Sequence, residues 1–135
     1  KSNITNHLRD ILKNASKEVI ICTNVEELKS KLKLFQETIE TLKKANIDIK
    51  IALAGDEKLI KRIENDLRIK IKKVDVDAKF FIIDRKEILF YISKDSKLQN
   101  ASLKEKNQED IAIWLNSEFF SQAFATLFEK AIGAD

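Results

Sequence analysis

Two runs of β-branched and aliphatic residues, each followed by a stretch with helical periodicity, constrain the fold of this chain most. The first run covers residues 18–23, and the second covers residues 47–54 and is almost wholly apolar near its end. Runs of this length predict strands, and the pattern over residues 24–45 between them predicts a helix. Strands joined through a helix form a parallel pair with a right-handed crossover. The first half of the chain therefore predicts an α/β fold.

Helical signals also flank these two strands. Apolar spacing over residues 2–15 predicts a first amphipathic helix, and Gly55-Asp56 ends the second strand and opens a further helix. Between the strands, Asn24 and Glu27 have the spacing of a helix-capping pair, and we expect that helix to run unbroken to about residue 45. The face that we expect it to bury consists of Leu28, Leu32, Phe35, Ile39 and Leu42.

The pattern changes after the third helix. Residues 68–74 alternate Ile with Lys, which predicts an edge strand whose lysines discourage pairing with another chain. Residues 78–83 and 87–92 are apolar runs separated by a tight polar turn, as in a hairpin. Residues 110–115 predict a last strand. We therefore predict one domain over residues 1–135, an α/β fold with a mixed sheet of about six strands flanked by helices on both faces.

The C-terminal part of the chain contains a polar excursion over residues 94–107 and then a final helix. Asn116 or Ser117 is expected to cap that helix, which extends to about residue 132. The only tryptophan, Trp114, precedes it and is expected in the core rather than as a stacking platform. The helix is expected to close over the sheet with Phe120, Phe124, Leu127, Phe128 and Ala131.

Composition excludes several classes of function. The chain has 25 basic and 22 acidic residues, a net charge of +3, which is weak for a domain that binds nucleic acid by itself. No Gly-rich phosphate loop, metal-ligand cluster or Ser-His-Asp set is visible, so we expect neither a cofactor nor a metal. No apolar run approaches the roughly 20 residues that cross a bilayer, which predicts no membrane contact and a cytoplasmic location.

Two residue types are informative through their scarcity. The single cysteine, Cys22, lies within an apolar run and is expected to be buried rather than reactive. The sequence contains no Met, even at position 1, which predicts a processed chain or, in preference, a part of a longer protein.

One segment, residues 76–84, carries a motif with chemical meaning. Lys79 and Asp84, with four residues between them, resemble the His-x-Lys and Asp motif of the phospholipase D superfamily, but Asp77 occupies the position of the histidine. The resemblance implies that two such motifs face each other, one imidazole attacking phosphorus and the other protonating the leaving oxygen. A carboxylate at position 77 repels a phosphodiester, so we predict no catalytic residue and no enzyme. The only histidine, His7, is expected to be an ordinary surface residue.

The chain also resembles the TrmB-like group of archaeal transcriptional regulators. The resemblance rests on residues 80–89, on Ile111-Ala112-Ile113-Trp114 and on the helix that ends at residues 127–131. It implies an N-terminal winged helix that binds DNA, a connecting helix that pairs two subunits into a homodimer, and a degenerate phospholipase D-like regulatory domain. Residues 2–15 would then bridge the two domains, and the winged helix would precede Lys1. The chain departs from the group at Tyr91-Ile92-Ser93, where a Gly is often found.

Polar residues near the predicted strand ends are candidates for binding a ligand in the regulatory domain, since open α/β sheets bind ligands there. A carboxylate beside an ammonium group suits the hydroxyl groups of a sugar or a similar polar metabolite better than a bare phosphate. Structural roles compete: Lys79 can reach water or pair with Asp77, and Asp84 can shape a turn. The candidate ligand-binding residues are Asp77, Lys79, Asp84, Thr23, Asn24, Ser93 and Asp110.

Three functions are compatible with these features. The first is an effector-sensing and dimerisation domain of a transcriptional regulator. The second is a structural dimerisation domain that binds no ligand, and the third is a phospholipase D-type nuclease half, which the absent histidine disfavours. We predict the first.

Overall fold

The computed structural model describes residues 10, 12–75, 78–92 and 111–131. They form one mixed six-stranded sheet with the strand order β3-β2-β1-β4-β5-β6. β1 pairs in parallel with β2 and antiparallel with β4, so it joins a parallel half to an antiparallel half. The predicted α/β fold with about six strands is confirmed. The strands are β1 (Glu18–Asn24), β2 (Asp48–Ala54), β3 (Ile71–Lys73), β4 (Lys79–Ile83), β5 (Glu87–Ile92) and β6 (Ile111–Asn116).

Helices cover both faces of the sheet, as predicted. One face packs against α1 (Val25–Ser30), α2 (Leu32–Lys44) and α3 (Glu57–Leu67). The other face packs against α4 (Glu118–Ala131). Of the first predicted helix, only its end lies within the described residues, where Leu12 is buried. The described part of the chain contains no helix with the length and apolar character that a bilayer requires.

The long helix predicted between β1 and β2 is wrong, because it is divided at Lys31. Asn24 caps α1 as expected, its Oδ1 accepting a hydrogen bond from the Glu27 amide at 2.8 Å. The backbone then leaves the helical region at Lys31, with φ −123° and ψ 32°, and α2 begins at the next residue. The apolar residues keep their helical spacing across this break, which explains why periodicity alone did not reveal it.

The orientation of α4 differs in part from the prediction, since Phe124 and Phe128 pack against the sheet as expected but other members of the predicted face do not. The residues that it buries are Ser121, Ala125 and Phe128, whereas Phe120 is 41% exposed and Leu127 is 66% exposed. Small side chains at positions 121 and 125 let the helix lie close to the sheet. The predicted cap is present, since Ser117 Oγ accepts a hydrogen bond from the Phe120 amide.

The core prediction for Trp114 is wrong. Its side chain is 49% exposed on β6, and its indole Nε1 donates a 3.2 Å hydrogen bond to Glu87. Cys22, in contrast, is fully buried as predicted, and burial raises the pKa of its thiol to about 11. A thiol with a raised pKa is a weak nucleophile at neutral pH, so Cys22 contributes packing rather than reactivity.

β4 and β5 form the predicted hairpin. Asp84 and Arg85 in its turn both have a φ of 54°, a left-handed conformation that non-glycine residues adopt at a cost. The Lys86 amide donates a hydrogen bond to the Ile83 carbonyl and closes the turn. β3 is an edge strand, as its alternation of Ile and Lys predicted.

Candidate functional site

Three polar side chains form a row across the middle strands of the sheet. Lys79 is the first residue of β4 and pairs with Tyr91 of β5. On its other side, Thr23 of β1 lies opposite Lys79, since Cys22 pairs with Phe80 in an antiparallel register, Thr23 follows Cys22, and Lys79 precedes Phe80. Residues paired across strands share a face. The row therefore lies on the face covered by α1, α2 and α3.

Thr23 is the most deeply buried member of this row. Its side chain is 1% exposed, and within the described part of the chain its hydroxyl oxygen has no hydrogen-bond partner. A buried hydroxyl without a partner costs about 1–3 kcal/mol, so folded proteins seldom retain one unless it has a use. The Thr23 hydroxyl is thus a group with which a ligand or a water molecule can form a hydrogen bond.

Glu27 contacts the row from α1, the helix that packs on the same face of the sheet. Its carboxylate lies 3.5 Å from Lys79 Nζ and also pairs with Lys31 on the same helix. Burial raises the pKa of the Glu27 carboxyl, but the contacts with Lys31 and then Lys79 outweigh it and hold the pKa below its ordinary value. Glu27 is therefore a carboxylate at neutral pH. We call Thr23, Glu27, Lys79 and Tyr91 the Lys79 cluster.

Asn24 positions this cluster indirectly. By accepting the hydrogen bond from the Glu27 amide, it fixes the first turn of α1 at the carboxyl end of β1. Gly55 at the end of β2 supports the same helix, because a Cβ atom there would lie 2.6 Å from the nearest carbon of Val25. The local sequence thus sets the position of the Glu27 carboxylate.

Asp84 lies at the other end of β4 and is not part of the Lys79 cluster. It lies five positions after Lys79, which corresponds to about 16 Å along a strand. Its carboxylate accepts hydrogen bonds from the amides of Ser16, Lys17 and Glu18 at 3.0, 2.7 and 3.0 Å. Burial alone would raise the pKa of Asp84, but these donors lower it. Asp84 therefore fixes the chain that enters β1.

An ion network surrounds this second end of the sheet. Arg85 donates to Glu18 at 2.8 Å and to Glu129 of α4 at 2.7 Å. Lys50 of β2 contacts the same two carboxylates at 2.9 and 2.7 Å. The network ties β1, β2, the hairpin turn and α4 together. We call Asp84 with these four residues the Asp84 end.

Of the predicted candidates, the structure brings Thr23 and Lys79 together, uses Asn24 to cap the helix that carries Glu27, and separates Asp84 from them. Asp77, Ser93 and Asp110 lie outside the described residues, as does His7. Sequence reasoning missed Glu27 and Tyr91 as members of the site. The signal for Tyr91 was its cross-strand position opposite Lys79, which follows once the hairpin register is known. Glu27 had a signal only as a capping residue, because its contact with Lys79 spans 52 residues of sequence.

The cluster combines a carboxylate, an ammonium group and a buried hydroxyl beside a phenol ring. Such a set can donate hydrogen bonds to hydroxyl oxygens and accept hydrogen bonds from hydroxyl groups, as a polyol requires. The Glu27 carboxylate partly neutralises Lys79, which weakens attraction for a phosphate. Within the described ranges, no group of three or more His, Cys, Asp or Glu residues is arranged to hold a metal ion.

No protein-family model matches this chain, and no curated protein sequence matches it. Solved structures do. TrmBL2, an archaeal chromatin protein whose structure shows a novel mode of DNA binding, matches with a TM-score of 0.64 and 14% identity. The match covers 96% of this chain and 48% of TrmBL2, so this chain spans about half the length of that protein.

Two further solved structures are matched by this chain over most of their own length. Nuc from Salmonella typhimurium, a phospholipase D family member, has a TM-score of 0.61 at 12% identity, over 93% of this chain and 84% of Nuc. NucT from Helicobacter pylori has a TM-score of 0.64 at 11% identity, over 96% of this chain and 87% of NucT.

The chain therefore has the phospholipase D-like fold that the segment around Lys79 predicted. The same fold occurs in TrmBL2, in agreement with the predicted resemblance to TrmB-like regulators.

Proposed function

We propose that this chain is the effector-sensing and dimerisation domain of a TrmB-like transcriptional regulator, and that a small polar metabolite, sugar-like in its hydroxyl groups, binds at the Lys79 cluster. The observation that carries the proposal is the buried Thr23 hydroxyl without a hydrogen-bond partner, in a row with Lys79 and beneath Glu27. A ligand hydroxyl that reaches this row would satisfy the Thr23 oxygen and share the hydrogen-bonding capacity of the ion pair.

Residue types at the cluster favour binding over hydrolysis. The motif that the fold uses for phosphodiester chemistry has Asp77 in place of the histidine. Glu27 adds a second negative charge close to Lys79. The Glu27 carboxylate weakens the attraction of Lys79 for a phosphodiester, and the motif contains no imidazole to attack phosphorus. We therefore propose that the fold serves here without catalysis.

Coupling to DNA would occur through a part of the regulator that precedes this chain. TrmBL2, a DNA-binding protein, is about twice as long as the stretch that this chain matches. Glu27 links the cluster to α1, so a ligand that draws Glu27 from Lys79 would remove a contact between that helix and the sheet. A ligand shifts an equilibrium between two subunit arrangements only as far as its affinities for them differ. The effector would thus act by shifting the equilibrium between two arrangements of the paired subunits.

The test is a calorimetric and thermal-shift screen of the protein against monosaccharides, disaccharides and nucleosides. Binding only to the folded state raises the free energy of unfolding by about 2.7 kcal/mol at a hundredfold excess over Kd. We expect a hit whose binding is lost in Thr23→Val and weakened at least about tenfold in Lys79→Ala, since one lost hydrogen bond to a charged group is worth about 1.5–3 kcal/mol.

Lys86→Ala is the matched control, because Lys86 is exposed on the turn at the opposite end of the hairpin. A hit that Lys86→Ala weakens as much as Lys79→Ala would contradict the site. Absence of any hit would favour a structural dimerisation domain. Turnover of a phosphodiester substrate, abolished by Lys79→Ala, would favour the nuclease half instead.

A further inference from the structure

The two edges of the sheet differ in charge. At one edge, β3 contains the exposed residues Lys72 and Lys73, and Lys70 lies just before the strand. At the other edge, β6 (Ile111–Asn116) contains no charged residue. Within the described part of the chain, β6 has a neighbour only on its β5 side. Lysines on an edge strand prevent pairing with another chain, so β3 is protected and β6 is not.

The uncharged edge continues into an apolar side of α4. On β6, Ile113 is 40% exposed and Leu115 is 37% exposed, and both lie on the face that α4 covers. Ile113 pairs with Phe90, whose ring packs against Phe124 of α4 at 5.5 Å. Phe120 stacks on Phe124 at 6.1 Å, one turn earlier in the helix. The exposed side chains of β6 and α4 therefore form one continuous surface.

Helical geometry places the rest of this surface. Leu127 lies seven residues after Phe120, on the same side of α4, and is 66% exposed. Glu129 lies on the opposite side and contacts Lys50 and Arg85, above β1 and β2. The apolar side of α4 therefore faces the β6 edge. We call this surface the β6 patch; it consists of Ile113, Leu115, Phe120 and Leu127, together with Trp114 on the opposite face of the same edge strand.

The exposed side chains of the patch supply a substantial part of an interface. Trp114 and Phe120 are 49% and 41% exposed. Since a buried aromatic side chain removes 150–250 Å² from water, these two offer roughly 180 Å². The three aliphatic side chains and the backbone of β6 add to this area, and a standard interface covers about 800 Å² on each partner.

We infer that the β6 patch is the interface between two copies of this chain, with the two β6 strands paired antiparallel across a two-fold axis. The inference rests on the dimerisation part of the proposed function and names its surface. An uncharged strand can pair with itself in any register without opposing like charges, whereas β3 paired with itself would oppose lysines. Self-pairing is therefore permitted at one edge of the sheet and prevented at the other.

This arrangement also buries the apolar side of α4. A two-fold axis perpendicular to the sheet keeps both copies of α4 on the same face of the joined sheet. Phe120 and Leu127 of one copy then face Phe120 and Leu127 of the other. The backbone groups of β6 that point away from β5 gain hydrogen bonds, and the apolar side of α4 leaves water in the same step.

The test measures mass and tryptophan environment together. Sedimentation equilibrium of the wild-type chain is expected to give a dimer. Because Trp114 is the only tryptophan and lies in the patch, its emission is expected to move to longer wavelength on dilution, as the dimer dissociates. Ile113→Lys and Leu127→Lys are each expected to raise the dimer Kd by at least about 100-fold, since a dimer contains every substitution twice.

Thr126→Lys is the matched control, since Thr126 is the exposed neighbour of Leu127 on α4 but lies outside the patch. It is expected to leave the Kd unchanged, and circular dichroism would verify that all three variants are folded. A dimer that survives both patch substitutions would overturn this interface while leaving the proposed function intact. A monomer at all concentrations would overturn the interface and the dimerisation part of the function, whereas ligand binding at the Lys79 cluster is measured separately.

Discussion

The two ends of β4 carry the two retained residues of one motif, yet their polar groups are in opposite states. At the Asp84 end, the carboxylate accepts hydrogen bonds from three backbone amides, and the neighbouring charged side chains form an ion network. At the Lys79 end, a buried hydroxyl has no hydrogen-bond partner within the described residues. Satisfied polar groups stabilise a fold, and unsatisfied ones weaken it. The comparison separates an end of the motif with a structural role from an end at which we propose ligand binding.

The largest effect is expected from Asp84→Ala. The substitution leaves the amides of Ser16, Lys17 and Glu18 without their acceptor, and we expect it to lower the free energy of unfolding by about 2 kcal/mol. Lys79→Ala is expected to cost less than about 1 kcal/mol, because it removes one long ion-pair contact. Urea unfolding of both variants measures the difference.

Asp84→Asn is the control, since Asn keeps one acceptor oxygen and tolerates the left-handed backbone. It is expected to retain part of the stability. If Asp84→Ala proved as stable as Lys79→Ala, the distinction between the two ends would be wrong.

Arg85→Ala tests the ion network, with a smaller expected effect. It removes the two contacts that connect the turn to Glu18 and to Glu129, and Lys50 remains as their partner. Because these groups are partly exposed, we expect a loss of about 1 kcal/mol, measured by urea unfolding. Lys86→Ala, at the next position and exposed, is expected to have no effect. Equal losses in both variants would indicate that the turn, not the network, was disturbed.

Thr23→Val is expected to raise the free energy of unfolding, whereas the substitutions at the Asp84 end lower it. Valine has nearly the same shape and removes the buried hydroxyl, so we expect the unliganded protein to gain about 1 kcal/mol of stability and to lose effector binding. Thermal unfolding with and without the ligand measures both. Thr41→Val is the comparison, because the Thr41 hydroxyl donates a 3.0 Å hydrogen bond to the Glu37 carbonyl. A destabilised Thr23→Val protein would show that the hydroxyl already has a structural partner.

The smallest expected effect is a difference in acid sensitivity. At the Asp84 end, the pKa values of Glu18, Asp84 and Glu129 lie below their ordinary values of 4.5, 3.8 and 4.5, despite burial, because of their hydrogen-bond donors. A carboxyl group whose pKa is lower in the folded state stabilises the fold fully above its unfolded pKa, and this contribution is lost as pH falls through the folded value.

We therefore expect the melting temperature to be steady from pH 7 to pH 5 and to fall below about pH 4.5, where the ordinary values lie. Glu27→Gln removes the one carboxyl with a lowered pKa that the described residues place at the Lys79 end, and it leaves all three at the Asp84 end, so it is expected to keep most of this decline. A Glu27→Gln protein that lost most of the decline would contradict the assignment of acid-sensitive stability to the Asp84 end. Differential scanning calorimetry over this pH range is the measurement.

Much of the fold was predictable because its signals are local. The runs that became β1, β2, β4 and β5 contain their own alternation, and the caps at Asn24 and Ser117 lie next to the helices that they begin. The orientation of α4 was not predictable, because this helix has apolar residues on most of its circumference. Only the tertiary packing of Ser121 and Ala125 against the sheet determines which side is buried.

The site was predictable in part, for a related reason. Lys79 was visible in a motif, and Thr23 and Asn24 were visible at the end of a strand. The contact between Glu27 and Lys79 depends on how α1 turns back over β1, and no local pattern encodes it. Asp84 was grouped with Lys79 because both belong to one motif, although the predicted strand over residues 78–83 already places them near its opposite ends.

The left-handed turn at Asp84 and Arg85 has a consequence for folding order. Short hairpins usually nucleate at Asn-Gly or similar turns, which favour that backbone conformation locally. Here neither turn residue is glycine, and their favourable contacts go to the start of β1 and to α4. A peptide of residues 78–92 should therefore be unstructured in water. The hairpin acquires its register only as β1 and α4 assemble on it, which makes these elements fold as one cooperative unit.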